Sequence, residues 1–476
     1  MDDAEVIVMG AGLAGLACAL ALSERGMRVM VFEAGDVAGG RACSSTDAAT
    51  GDRVDLGPHI LLSEYRNMRR LLEQLGTHGR IAWQGKKFIT FVDKPRPVTF
   101  CLHRLPPPLH FMPSLLKIPQ VSLRDVASNA RLLWRVMRLR EADVLRLDGE
   151  DAETVLRRWG VSARFIDWYW RTVSMAIMNV PLQACSAGAL LEFFRYMVGV
   201  GGYQVGLPAE GLGDLFVPAA LRHIESQGSE VRLRERIVRL PEDGSRASGV
   251  ELSDGTRINA RHVVSALPPA ELAAVLPQSW RAQHTVFADL AQFAPSRYIS
   301  NYLWFDRKLT QERFWAKVWS PRTLNYDFYD LSNIRAEISS RGSLIASNII
   351  HSDRAETLSD DDIIAATLEE IGEYLPQVAQ ARLLHARVHR IAMAIPAPHP
   401  GSERLRPCQA TPVEGLFLAG DWTRTGLPAS MESAVRSGWL AAEQVLASAG
   451  RPCAIARPLP RMEGFVRLLA GPAPAG

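Results

Sequence analysis

The feature that most narrows the fold is a glycine turn set between two β-rich runs. Glu5 to Met9 is short and apolar. Gly10-Ala-Gly12-Leu-Ala-Gly15 follows it and opens an Ala/Leu-rich helical pattern that ends near Gly26, and Arg28 to Phe32 is a second strand candidate. Strand, glycine turn, helix and strand in that order predict a parallel βαβ unit that holds a dinucleotide. Gly10 would make the tight turn, Gly12 would let a pyrophosphate approach the backbone, and Gly15 would let the helix pack closely on the sheet. Leu13 and Ala14 begin the helix, whose unpaired N–H groups and positive end suit phosphate. Glu33, 18 residues after Gly15, ends the second strand. Its carboxylate can accept from ribose hydroxyls and would repel a 2′-phosphate, which disfavours a phosphorylated nicotinamide dinucleotide.

Those residues leave NAD and FAD open. Gly39-Gly40-Arg41 follows soon after Glu33, with glycines that permit a close turn and a guanidinium able to neutralise pyrophosphate charge. At the far end, Gly415 to Asp421 reads as a strand running into a Gly420-Asp421 turn, and a helix begins in the segment from Pro428 to Gly438. Ser430 and Met431, at that helix's start, would offer N–H groups to the pyrimidine edge of a flavin, with Asp421 reaching its ribityl or pyrophosphate portion. A cofactor held this way bridges both ends of the chain.

These motifs resemble the FAD-dependent amine-oxidase and carotenoid-desaturase superfamily over about residues 5 to 450. The inner segments VDLGPHILLSEYRNMRRLLEQLG from Val54, LPPPLHFMPSLL from Leu105, MNVPLQACSAGALL from Met178 and LPAEGLGDLF from Leu207 are most similar to its squalene-associated branch, hydroxysqualene dehydroxylase. The resemblance implies an α/β chain: a glutathione-reductase-like FAD-binding domain with an interposed α+β substrate domain. The FAD domain would comprise residues 1–80, 206–275 and 401–450, the substrate domain 81–205 and 276–400, and a flexible tail 451–476. A β-meander fits the middle piece, because Glu230 to Arg234 and Gly249 to Leu252 are strand candidates, Ser253-Asp-Gly-Thr256 is a hairpin turn, and Ala260 to Leu267 returns. In similar flavoproteins the Val231 region passes near the adenine, which makes Val238 a secondary contact candidate; a buried strand valine is its other reading.

The substrate side carries an unusual charge pattern. From Arg96 to Arg140 there are eight Lys or Arg against one acid, Asp125, interleaved with Leu102, Leu105, Leu109, Phe111, Leu116 and Ile118. Such interleaving suits an anionic membrane surface. Prolines at 106, 107, 108 and 113 argue against one continuous helix, leaving an irregular apolar lip before a basic helix from Ser122; a loop packed on the core is the plainer alternative. Aromatic residues at 165, 168–170, 193, 194 and 196 would wall a site for a long isoprenoid chain, or pack as core. No zinc, RNP-like or recognition-helix pattern organises the positive charge for nucleic acid. The longest uncharged stretch, Thr172 to Leu191, is interrupted by Asn179, Pro181 and Gln183, a poor membrane span. Six scattered Cys without a CxxC pair and an acidic N-terminus fit a reducing cytoplasm, with peripheral attachment to the inner face of the cytoplasmic membrane left open.

For the chemistry, no Gly-x-Ser-x-Gly or His-Glu-x-x-His pattern is present, and no metal is expected. His385 and His389, spaced i,i+4, would face one way on a helix without a third ligand. His59, in Gly57-Pro58-His59, falls in a segment that lies near the flavin in the similar family. It would release a leaving hydroxyl as a general acid, tune the cofactor site or serve structure. Pro58 departs from the Gln of the squalene-associated pattern, and Asn325-Tyr-Asp-Phe-Tyr-Asp330 matches no dehydroxylase signature. The resemblance implies reduction of hydroxysqualene to squalene by hydride from reduced flavin N5, with external NADPH a possible donor that lacks a recognisable site of its own. Desaturation of phytoene or a related carotenoid, which runs hydride the other way, is the alternative; amine oxidation is a lesser one.

Overall fold

The computed structural model describes residues 4–338 and 340–469. Its fold is α/β, a Rossmann-like region joined to a separate α+β region, each built on a seven-stranded sheet. In the first sheet Glu230–Leu233, Val29–Glu33, Ala4–Met9 and Arg257–Ser265 lie side by side in parallel, with Leu416–Leu418 also parallel to Arg257–Ser265. Gly249–Leu252 and Ile237–Arg239 extend it antiparallel as the meander. Val6 to Met9 read as an unbroken apolar run because both faces of the strand are covered, and all four are fully buried. The helix Leu13–Ser23 is buried on every side. It packs on the closing helix Met431–Ser448 so closely that a Cβ on Gly438 would lie 2.2 Å from the Ala14 carbonyl oxygen.

The second sheet runs Leu383–Pro396, Pro295–Phe305, Leu344–Ile350, Asp327–Asp330, Phe314–Lys317, Lys87–Val92 and Val98–Cys101. One face packs on a core shared with the helices Ala130–Met137 and Ala187–Gly199, and the other packs on the helix Asp360–Gly372. The two regions are locked together at residues 52–55. Arg335 reaches from the α+β region, the cap, to the Asp55 carboxylate at 2.5 Å, Tyr302 donates to the Asp55 carbonyl at 2.8 Å, and Trp304 Nε1 donates to Asp52 at 2.8 Å.

Four details differ from the sequence expectations or refine them. The proline-rich lip breaks into a 3-10 turn at Leu109–Phe111 and a short helix Met112–Leu115, and the basic stretch then forms Leu123–Ala127, capped by Ser122 and Asp125, and Ala130–Met137. The uncharged run from Thr172 is divided at Asn179, which adopts φ 60° and ends the helical turns before Ala187–Gly199 begins. No described helix is long and apolar enough to cross a membrane. His385 and His389 sit on the strand Leu383–Pro396 rather than on a helix; i,i+4 residues share a face in either geometry, so spacing did not discriminate. The expected flexible tail is docked over its described part. Val466 is fully buried, Glu463 N–H donates to the Gly199 carbonyl at 2.7 Å and Phe465 N–H to the Pro107 carbonyl at 3.0 Å; residues 470–476 lie outside the described residues.

Candidate functional site

Two glycine turns form the base of the site. Gly10 has φ 96°, open to glycine at little cost, and a Cβ on Gly15 would lie 2.0 Å from the Gly10 carbonyl oxygen, so turn and helix close only without a side chain there. Gly12 caps the helix beginning at Leu13 and Ala14, with no side-chain hydrogen bond at that end. Gly39 and Gly40 lie against the same turn: Gly39 N–H donates to the Ala11 carbonyl at 2.8 Å, and a Cβ on Gly40 would come within 3.1 Å of the Gly12 Cα. Backbone thus meets backbone beside a helix N-terminus, a cradle shaped for a pyrophosphate. Glu33 stands at the rim. Its carboxylate accepts from Ala11 N–H at 2.9 Å and Gly35 N–H at 2.8 Å, fixing it to the turn it follows.

Arg41 and Asp421, read separately in the sequence, form one ion pair. Arg41 donates to the two Asp421 carboxylate oxygens at 2.6 and 3.1 Å and to the Ala394 carbonyl at 2.8 Å. The guanidinium expected to meet pyrophosphate charge is therefore balanced by a carboxylate 380 residues away, and it ties the opening segment to the closing one. Gly420 N–H donates to Ser437 Oγ at 2.8 Å, and Ser430 caps the closing helix by accepting from Ser433 N–H at 3.2 Å, which places Met431 in its first turn. Glu432, next along, accepts from the N–H groups of Asn67 and Met68, joining this helix to Arg66–Gln74.

One of the two readings of Val238 requires correction. It lies on Ile237–Arg239 with 42 % of its surface exposed, whereas Ile237 turns inward against the core that contains Phe32 and Leu252. Strand alternation thus makes Ile237 the core residue, and Val238 is not a buried strand valine.

His59 follows the segment Leu56 to Pro58, whose backbone lies against the cap sheet. Its Nδ1 lies 2.7 Å from the Gly57 carbonyl oxygen, which can only accept, so Nδ1 carries the hydrogen and Nε2 keeps a lone pair. Burial pulls its pKa below the usual imidazole value, only partly offset by Gly57. The expected general acid is thus neutral near pH 7 and better suited to accept a proton. Beneath it, a Cβ on Gly57 would lie 2.9 Å from Ser300 Oγ, Asn348 donates to the Pro58 carbonyl at 3.4 Å, and His389 Nδ1 lies 3.2 Å from the Leu56 carbonyl. Ser300 and Asn348 escaped the sequence reading, and His389 entered it only as the partner of His385, because only strand pairing brings these residues under Gly57.

A cavity opens beside the closing segment, lined by Asp421, Trp422, Ile177, Met178, Phe293 and Ile395. Glu192 also lines it, its carboxyl pushed up to about 7 by burial and by Glu403. With Ala189, Pro396, Ala397, Pro398, Pro428 and Ala429 also in its lining, the cavity presents mainly apolar walls. Phe165, Trp168, Tyr169, Trp170 and Phe194 instead lie in the core itself.

The family model for flavin containing amine oxidoreductase matches residues 13–446. The 15-cis-phytoene desaturase of Synechococcus elongatus is 29 % identical over 488 residues, covering 94 % of this chain and 99 % of that protein. The chloroplastic/chromoplastic 15-cis-phytoene desaturase of Solanum lycopersicum is 29 % identical over 456 residues, 93 % of this chain and 77 % of its own length. Among solved structures, putrescine oxidase bound to putrescine superposes with a TM-score of 0.71 at 17 % identity, covering 93 % of this chain and 99 % of that one.

Proposed function

Because the chain belongs to the flavin containing amine oxidoreductase family, we propose that it is an FAD-dependent desaturase acting on a long isoprenoid chain, with electrons passing from substrate to flavin. Similarity to phytoene desaturases over more than nine-tenths of the chain carries this reading. The mainly apolar lining of the cavity beside the closing segment suits a hydrocarbon. The reductive reading, hydroxysqualene to squalene with NADPH as ultimate donor, rests on the inner segments alone. Amine oxidation rests on a likeness of fold.

Gly10, Gly12, Leu13, Ala14, Gly15, Gly39 and Gly40 would hold the FAD pyrophosphate, and Glu33 the adenosine ribose. Arg41 and Asp421 would fix the closing turn at the flavin, with Gly420, Ser430 and Met431 presenting the helix N-terminus to it. The cradle fits, since Gly12 and Gly40 approach backbone to backbone beside the N-terminus of the helix that begins at Leu13. Bound FAD supplies two-electron acceptance. The chain's own residues would orient the polyene against it: Ile177, Met178 and Phe293 in the cavity wall exclude water from the reacting carbons, and neutral His59 offers a lone pair at Nε2.

Anaerobic addition of phytoene in detergent micelles to the oxidised holoenzyme is expected to bleach the flavin and yield a product with one more double bond. Oxidation of the photoreduced enzyme by hydroxysqualene, with no bleaching by phytoene, would instead establish the reductive direction.

We also assign a membrane-facing surface. Of the ten exposed large hydrophobic side chains among the described residues, Leu105, Leu109, Leu116, Leu123, Trp134, Phe465 and Leu468 fall in two stretches that meet at Pro107. Arg104, Lys117, Arg124 and Arg131 accompany them. Each cation near an anionic bilayer contributes about 1 kcal/mol before screening. Co-sedimentation with vesicles should therefore rise with anionic lipid content and fall with salt, and L116S/L123S should weaken it. Equal recovery with and without anionic lipid at low salt would remove this surface from the account.

A further inference from the structure

Three carboxylates stand in the wall of the cavity beside the closing segment, those of Glu192, Glu403 and Asp421. Two are neutralised. Asp421 pairs with Arg41 at 2.6 Å, and Glu403 pairs with Arg406 at 3.3 Å. Arg406 also donates to the carbonyls of Asp421, Thr423 and Leu427, so its guanidinium is fixed on the closing turn. Glu192 has no hydrogen bond and no ion pair among the described residues. It sits on the helix Ala187–Gly199 three residues after Ala189, which lines the same cavity, so one face of that helix is part of the wall. A carboxylate without a partner in a wall shared with Ile177, Met178 and Phe293 costs free energy, and no contact within the chain requires it there.

Resting on the desaturase reading above, we propose that Glu192 is a catalytic residue, the proton acceptor of the reaction. Making a C=C bond from a CH–CH unit removes one hydrogen as hydride, with both electrons of its bond, to the oxidised flavin. The second leaves as a proton to the Glu192 carboxylate, and the electrons of its C–H bond become the new π bond. Asp421, Trp422, Pro428 and Ala429 of the closing segment line the same cavity, so a chain lying in it meets both that segment and Glu192. The Glu192 side chain is only partly buried, which lets the accepted proton pass on to solvent.

The charged and titratable groups around Glu192 come from four elements. Arg195 and Tyr196 share its helix, Glu141 belongs to Glu141–Leu147, Glu403 and Arg406 to the stretch that begins at Ser402, and Arg436 acts on Tyr196 from the closing helix. Burial and the charge of Glu403 push the Glu192 carboxyl up to about 7, against Arg406 and Arg195. It is therefore a stronger base than an ordinary carboxylate and still ionised on the alkaline side of neutrality. His59, whose imidazole is pulled down, is not among the residues of this wall.

The test uses oxidised holoenzyme and single-turnover bleaching with phytoene. Glu192→Gln should slow bleaching by about 10² to 10⁴ while leaving flavin content and the Kd of lycopane, the fully saturated analogue, unchanged. The wild-type rate should rise with pH through neutrality and then level, and E192Q should lose that rise. Glu403→Gln removes a negative charge that disfavours ionised Glu192, so its rise should move to lower pH. This shift is read whether or not E192Q accumulates, and a rise that E403Q leaves in place overturns the assignment. Without substrate, infrared difference spectra between acid and alkaline pH should contain a carboxylic acid C=O band that E192Q lacks; identical spectra would mean that Glu192 does not titrate there and would overturn it too. Loss of lycopane binding in parallel with rate would make Glu192 an anchor rather than a base. Absence of bleaching in wild type would sink the desaturase reading and the proton-acceptor role with it, whereas equal bleaching in wild type and E192Q would sink only the latter.

Discussion

Arg335→Leu is expected to lower unfolding stability by about 3 to 5 kcal/mol, because it leaves the Asp55 carboxylate buried without its counter-charge. Both side chains of the pair are almost wholly buried, at 1 % and 2 % exposure. Arg335 also donates to the Arg53 carbonyl at 2.7 Å, and Asp55 accepts from Ser44 Oγ at 2.7 Å and Leu212 N–H at 2.8 Å. The network thus links the cap to both the opening and the middle pieces of the Rossmann-like region. Urea denaturation followed by tryptophan fluorescence measures the loss. The companion R335L/D55L should recover part of it, since an uncharged pair carries no desolvation penalty. Coincident transitions for wild type and R335L would mean that the pair contributes nothing to cohesion.

Glu33→Ala should weaken FAD retention by about 1.5 to 3 kcal/mol, roughly a ten- to hundredfold rise in Kd, through loss of charge-assisted hydrogen bonds to the ribose. The structure adds a second consequence. The N–H groups of Ala11 and Gly35 lose their acceptor, so the turn that begins the cradle loosens as well. Titrating apoprotein with FAD and following quenching of flavin fluorescence measures the affinity. Glu33→Gln keeps an acceptor oxygen and should fall between. An unchanged Kd in a folded E33A protein would take Glu33 out of the cofactor site.

The turns around Gly10 to Gly15 and Gly39 to Gly40 were legible in the sequence because their geometry is local. A positive φ or a backbone contact excludes a side chain, and that exclusion is written in residue type. The parallel strands were equally plain, since covering both faces demands an apolar run such as Val6 to Met9. What tertiary structure decided was long-range pairing. Arg41 meets Asp421 across 380 residues, and nothing near either residue specifies the other. Val238 and Ile237 differ only in which way the pleat turns, and a one-residue change of phase exchanges core for solvent. His389, Ser300, Asn348 and Asp327 become neighbours only once strands far apart in the chain adopt a particular register. Register is fixed by burial of the whole sheet rather than by any one strand, which is why nothing in the Asn325 to Asp330 run itself says that Asp327 pairs with Asn348, in line with the residues beneath Gly57 and Pro58.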